Sequence, residues 1–156
     1  MPTLREAVDD FLAQERIAVV GVSRDSAQAA NMVYRGLRKA NYRVFAVNPH
    51  AEEAEGDICY PDLKSIPDGV AAAVIATPPA ITESVVRECA EQGVARVWMH
   101  RSFGKGSVSD AGAALCRERG ISVIAGGCPM MFLPGADVGH RCMRLMLKVT
   151  GGLPRP

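Results

Sequence analysis

An α/β fold built on a parallel sheet is predicted by three features of this 156-residue chain. Short, apolar, β-branched runs recur, and their starts at residues 16, 43, 71, 95 and 121 lie 27, 28, 24 and 26 residues apart. Each interval is long enough for a strand, a crossover helix and two loops, and too long for a hairpin. The runs are continuously apolar rather than alternating, which marks strands covered on both faces.

The elements follow in order. Thr3-Leu-Arg-Glu6 is a capping box ahead of Val8, Phe11 and Leu12, so a leading helix packs on the domain. The strands are Arg16–Val22, Arg43–Val47, Ala71–Ala76, Ala95–Met99 and Ile121–Ala125. Between them, helical spacing sets Met32, Val33, Gly36, Leu37 and Ala40 on one face, Ile81, Val85 and Cys89 on a second, and Ala111, Ala114 and Leu115 on a third. Thr77 reads as an N-cap with Pro78 in the first turn, where a missing N–H is harmless. Ser107-Val-Ser-Asp110 opens the next helix, and Gly93 and Gly120 stand where helix ends favour a left-handed residue. Ala51–Pro67 has poor periodicity and is given at most a short helix around Asp62–Ser65. Asp137–Thr150 is again helical, with Val138, Cys142, Leu145, Met146 and Val149 apolar, either packing on the sheet edge or forming a dimer face. With right-handed crossovers this is a Rossmann-like, doubly wound parallel sheet of five strands. Helices cover both faces, and extra helices stand at the N- and C-termini. Residues 1–156 read as one domain, with a helical extension over about 137–150.

Composition excludes whole classes of function. Lys and Arg total 18 against 17 Asp and Glu, a net charge of +1, without the basic excess of a nucleic-acid binder. There is no 18-residue apolar run and no basic-then-apolar leader, so neither a membrane span nor a signal peptide is expected. Five scattered cysteines (Cys59, Cys89, Cys116, Cys128, Cys142) without a CxxC pair fit reduced thiols and a cytoplasmic protein.

In open parallel sheets ligands bind beyond the strand C-termini. Five loops lie there: Gly21–Asn31, Asn48–Glu52, Thr77–Ala80, His100–Ser107 and Gly126–Met131. The first, Gly21-Val22-Ser23-Arg24-Asp25-Ser26, keeps only the first glycine of a G-x-G-x-x-G dinucleotide fingerprint. Its strand-to-helix turn still offers N–H groups and a positive helix end to an anion, unless Gly21 serves only the turn. The second strand ends in Val47-Asn48-Pro49-His50, with no carboxylate for a ribose diol until Glu52, which counts against an NAD(P)-binding redox sensor. Asn48 either bonds a ribose or phosphate or makes the turn. Thr77-Pro78-Pro79 is either a rigid apolar wall or simply a helix opening.

Taken together, Gly21-Val22-Ser23, Val47-Asn48-Pro49, Gly56-Asp-Ile-Cys-Tyr60-Pro61-Asp-Leu63, Thr77-Pro78-Pro79 and Val97-Trp98 resemble the small stand-alone CoA-binding domain proteins. These are similar to the CoA-binding domain of the succinyl-CoA synthetase alpha subunit. The resemblance runs from about Val8 to Met130. It implies CoA or acyl-CoA bound non-catalytically, with Gly21, Val22, Ser23 and Arg24 at the ADP portion, Asn48 and Pro49 on the nucleotide side, and Thr77, Pro78 and Pro79 as the next wall. Arg24 would fork onto a phosphate. The family's first-loop lysine and its Trp-Leu-Gln-x-Gly stretch are absent, and Arg101 or Lys105 would supply the missing cation. The implied partners are a small-molecule CoA thioester and a second copy or an enzyme subunit. The alternative function is a partner-dependent subunit of an acyl-CoA ligase or transferase.

Autonomous chemistry is not indicated. Ser23 lacks the G-x-S-x-G context of a nucleophile elbow, because position 25 is Asp. His100, Cys128 and Asp137 are either a metal set, since two of those loops converge in this fold, or polar surface residues and a buried thiol. Cys128, in Gly126-Gly127-Cys128-Pro129, would pair with a CoA thiol only if exposed and acidified.

Overall fold

The computed structural model describes residues 2–102 and 106–156. In chain order the elements are α1 (Leu4–Leu12), β1 (Arg16–Val20), α2 (Ala29–Lys39), β2 (Arg43–Val47), β3 (Glu53–Ala54) and β4 (Asp57–Tyr60). There follow β5 (Ala72–Ile75), α3 (Pro79–Glu91), β6 (Arg96–Met99), α4 (Asp110–Glu118), β7 (Ser122–Ala125), a 3₁₀ turn (Pro129–Met131) and α5 (Val138–Thr150). The sheet order is β3-β4-β2-β1-β5-β6-β7, parallel throughout except for β3 against β4.

The five expected strands are present, but the sheet has seven. The two additions, β3 and β4, lie in the segment read as irregular or briefly helical. Glu55 and Gly56, both at positive φ (55° and 80°), make the two-residue hairpin turn between them. They escape pattern reading because they are short and lie at a sheet edge; Ile58 is 64% exposed, so no buried apolar run announces them. Asp62 caps a turn through bonds from the Ser65 N–H and hydroxyl (2.8 and 2.7 Å), and no helix forms there.

Alternate residues of each central strand enter opposite cores, which explains the continuous apolar runs. Ile17 and Val19 pack with Phe11, Val33, Tyr34, Leu37, Trp98 and Ile124 beneath α1 and α2. Ala18 and Val20 pack with Ile75, Val86, Cys89, Val97 and Cys116 beneath α3 and α4. Trp98, fully buried, meets Phe11 edge-on at 5.3 Å and Phe132 at 5.6 Å, and its indole N–H donates to the Gly126 carbonyl at 2.9 Å.

Several helix details differ from expectation. The buried face of α2 is Ala30, Asn31, Val33, Tyr34 and Leu37, so Met32 and Ala40 point outward. The buried face of α4 is Gly112, Ala113 and Cys116, while Ala111 and Ala114 are exposed and Leu115 is half-buried. Thr77 does not cap α3; Pro78 occupies that position and Pro79 is the first helical residue. The Thr3–Glu6 capping box forms as read. Asp137 caps α5, which packs through Met143 and Leu147 while Val138, Leu145, Met146 and Val149 remain exposed. The segment beyond α5 pairs Arg155 with Ala125, covering the edge of β7. Among the described residues no helix is long and apolar enough to cross a membrane.

Candidate functional site

The chain runs from β1 to β2 and β4 on one side, then crosses back to β5, β6 and β7 on the other. Strand order therefore reverses between β1 and β5, and the loops after them diverge to leave a crevice. A cleft of about 540 Å³ lies there, within the usual range for small-molecule sites. Its floor is Val20, Gly21, Val47 and Ala76 at the strand ends. Its sides are Ser23 and Gln28 from the first loop, Asn48, Pro49 and His50 after β2, Pro61 after β4, Thr77 and Pro78 after β5, and Ile81, Ser84, Val85 and Glu88 from α3.

Register brings these loops together. Val20 pairs with Val47 on one side and Ile75 on the other, so all three strands end at one level. Gly21 N–H then bonds the Val47 carbonyl at 2.8 Å, and Ala76 N–H bonds the Val20 carbonyl at 2.9 Å. Gly21 has φ +111°, and a Cβ on it would stand 2.5 Å from the Ala76 carbonyl oxygen. Glycine is required there by both conformation and space.

Of the residues singled out from sequence, Gly21, Ser23, Asn48, Pro49, Thr77 and Pro78 line the cleft. Val22 is wholly buried in the core, Arg24 is exposed on the loop, and Pro79 opens α3. Asn48 is occupied internally: Nδ2 donates to the Val22 carbonyl (3.0 Å) and Oδ1 accepts from His50 N–H (2.9 Å). Arg101 bonds the Gly127 carbonyl through its backbone and lays its guanidinium over Gly126, apart from the cleft residues. Lys105 lies outside the described residues.

Sequence reasoning missed Gln28, His50, Pro61, Ser84 and Glu88. Glu88 was detectable as the i+7 continuation of Ile81, after Val85 at i+4. Its carboxyl is held above the ordinary range by burial, opposed by the bond it accepts from Leu63 N–H. Ile81, assigned to a core stripe, is 47% exposed and faces the cleft.

Three helices have a side-chain N-cap: Thr3 on α1, Ser109 on α4 and Asp137 on α5. The two that begin beside the cleft, α2 at Gln28 and α3 at Pro78, have none. Thr77 Oγ1, at the cleft wall, is buried without a hydrogen-bond partner. An unmatched buried hydroxyl is costly in the free protein. Thr77→Val should accordingly raise stability by about 0.5–1.5 kcal/mol in denaturant unfolding and weaken any ligand that bonds this hydroxyl. Lower stability in T77V would show that the hydroxyl is satisfied within the fold.

Cys128 is fully buried, and burial pushes its thiol up to about 12, so it lacks the exposure and acidity a mixed disulfide with CoA requires. Among the described residues no three His, Cys, Asp or Glu side chains gather as metal ligands. Asp137 instead bonds His140 Nδ1 at 2.6 Å.

His100 is buried, and burial, with the nearby His140 second, pulls its pKa down to about 4. The folded chain keeps His100 neutral where an unfolded histidine binds a proton, so stability is lost as pH falls from about 6.5 toward 4. Unfolding at pH 5 should need about 2 kcal/mol less than at pH 7. His100→Gln should flatten that slope in denaturant titrations; an unchanged slope would assign it to other groups.

A cleft at a strand-order reversal, between two helix starts with no side-chain cap, is where an open α/β sheet of this class takes a small-molecule ligand. Comparison with known proteins supplies the family. The sequence pattern of the CoA binding domain matches residues 15–134, and the chain belongs to that family. It is 32% identical over 96 residues to acetate–CoA ligase [ADP-forming] II of Archaeoglobus fulgidus, covering 60% of this chain and 14% of that enzyme. Among solved structures it resembles a hypothetical protein from Pyrococcus horikoshii OT3 (TM-score 0.74, 28% identity, 80% of this chain and 86% of that one). It also resembles the dinucleotide-forming acetyl-coenzyme A synthetase 1 of Ca. Korarchaeum cryptofilum (TM-score 0.62, 29% identity, 70% of this chain and 25% of that one). The chain thus spans only about a seventh of the curated ligase it matches.

Proposed function

We propose that this chain binds CoA or an acyl-CoA through its nucleotide, in the Rossmann-like manner and without catalysis of its own. The observation that carries the reading is the cleft at the β1/β5 reversal, flanked by the uncapped starts of α2 and α3. Membership of the CoA binding domain family supports it. Backbone at Gly21 and Val22 and the Ser23 hydroxyl would meet the diphosphate. Arg24, exposed on the same loop, would swing onto a phosphate. Asn48 would act by fixing the loop, with Pro49 beside the nucleotide, while Thr77, Pro78 and Pro79 wall the other side.

A second reading, a partner-dependent ligase or transferase subunit, draws on the ligases of which this chain resembles one part. In that case the protein binds CoA and awaits a partner for chemistry. A redox sensor for NAD(P) is less well supported, because Asn48 stands where the ribose-binding acid would be and both its polar atoms are engaged.

The test is a thermal-shift panel of CoA, acetyl-CoA, dephospho-CoA, NAD, NADP and ATP. A ligand at a hundred times its Kd adds about 2.7 kcal/mol, a rise on the order of 5–10 °C for a chain of this size. A rise with CoA and none with NAD is expected. A rise with NAD alone would overturn the reading, and a flat panel would direct the search to a protein partner.

A further inference from the structure

The first loop is closed into a ring by side chains from α2 and the β3–β4 hairpin. Asn31, in the first turn of α2 and fully buried, brackets the backbone of Ser23. Its Oδ1 accepts from Ser23 N–H at 3.0 Å, and its Nδ2 donates to the Ser23 carbonyl at 2.7 Å and to Glu55 Oε1 at 2.8 Å. A flipped amide would face an N–H with an NH₂ and a carboxylate with an oxygen, so the orientation is determined by its neighbours. Arg35, one turn further along α2, donates to the same Glu55 oxygen at 2.8 Å and to the Ser26 carbonyl at 2.9 Å. Glu55 is the hairpin-turn residue at φ 55°. Ser23, which lines the cleft, and Ser26 are thereby both tied to one carboxylate of the edge hairpin.

We propose that Asn31 and Glu55 are positioning residues for the nucleotide site, holding the first loop in its receiving shape before any ligand arrives. The inference rests on the reading of the cleft as a CoA site. A loop carrying Ser23 and Arg24 would otherwise be ordered only at binding, at the expense of affinity. The hairpin therefore has a role beyond burying Ala54 and Cys59 in the core. Its turn supplies the acceptor that completes the ring.

The experiment is calorimetric titration of CoA and of adenosine 3′,5′-bisphosphate into the wild type, Asn31→Asp, Glu55→Gln, the double variant and Glu55→Ala. Asn31→Asp removes both Nδ2 donations and sets a second carboxylate against Glu55, and should weaken both ligands at least about tenfold. Adding Glu55→Gln to it supplies an amide that donates to the newly introduced carboxylate, so the double variant should recover part of that loss, the Ser23 carbonyl still lacking its donor. A residue that merely stabilises the fold would not be rescued in affinity by a change 24 positions away. Glu55→Ala, at an edge turn, tests the ring should Asn31→Asp fail to fold, and is expected to weaken binding several-fold. Wild-type affinity in Asn31→Asp or Glu55→Ala, or a double variant no better than Asn31→Asp alone, would overturn the inference. If the wild type itself binds neither ligand, the CoA reading fails first and the inference fails with it.

Discussion

Gly21→Ala is expected to destabilise the protein by about 3–5 kcal/mol and to abolish binding at the cleft. Two costs add at this position. The φ of +111° is outside the range an L-residue adopts without strain, on the order of 1–3 kcal/mol. The added Cβ would also stand 2.5 Å from the Ala76 carbonyl oxygen and 2.9 Å from its carbon. Backbone cannot swing aside as a side-chain tip can, so β1 and β5 must part. Their parting moves the first loop away from the Thr77 wall and disrupts the bond from Gly21 N–H to the Val47 carbonyl. Gly93→Ala is the control. It shares a positive φ of +71° but has no atoms within 4 Å of the new Cβ, so only the conformational cost of about 1 kcal/mol applies. Urea unfolding of the two variants, with CoA titrated into each, checks the difference. Equal losses would show that the Ala76 contact relaxes freely.

Trp98→Ala is expected to cost about 4–6 kcal/mol, enough to leave much of the chain unfolded at 37 °C. The indole is wholly buried between Phe11 and Phe132, so truncation opens a cavity that strands β5 and β7, hydrogen-bonded on either side, prevent from collapsing. The Gly126 carbonyl would also lose its donor. Trp98→Phe should cost about half as much, keeping most of the packing and losing the hydrogen bond. Because Trp98 lies in the α1/α2 core and not on the cleft, the folded fraction of Trp98→Phe should bind ligand with unchanged affinity. Circular dichroism melts and binding measured well below the midpoint separate the two effects. Impaired binding in folded Trp98→Phe would show that the two regions are coupled.

How much was legible in the sequence depends on the length scale of the signal. The five central strands were readable because burial on both faces leaves a run such as RIAVV with no polar residue after its first. The capping box at Thr3 and the helix-ending glycines were readable because they act within one turn of backbone. That Gly21, Ser23, Asn48, Pro49, Thr77 and Pro78 line a cleft was readable because loops at strand C-termini border the crevice of this architecture.

What only the tertiary structure decided involves partners distant in the chain. Asn48 was read as either a ribose or phosphate contact or a turn former; only the fold shows its bonds, to the Val22 carbonyl 26 residues away and from His50 N–H. Asn31 gave no signal, because an asparagine in the first helical turn looks like any other until the hairpin brings Glu55 against it. The β3–β4 pair was hidden because an exposed edge strand alternates weakly and its pairing, not its composition, defines it. The face of α4 was misassigned because adjacent stripes of small residues look alike in sequence, and packing in the α3/α4 core buries Ala113 and Cys116. Cys128 was sealed by packing its own sequence does not encode. Sequence by itself determined the rhythm of strands and helices, since that rests on local hydrophobic pattern and caps. Which polar groups stay free for a ligand and which hold the loops in place was decided by the closed fold, because a hydrogen bond is claimed by whichever group packing brings within reach.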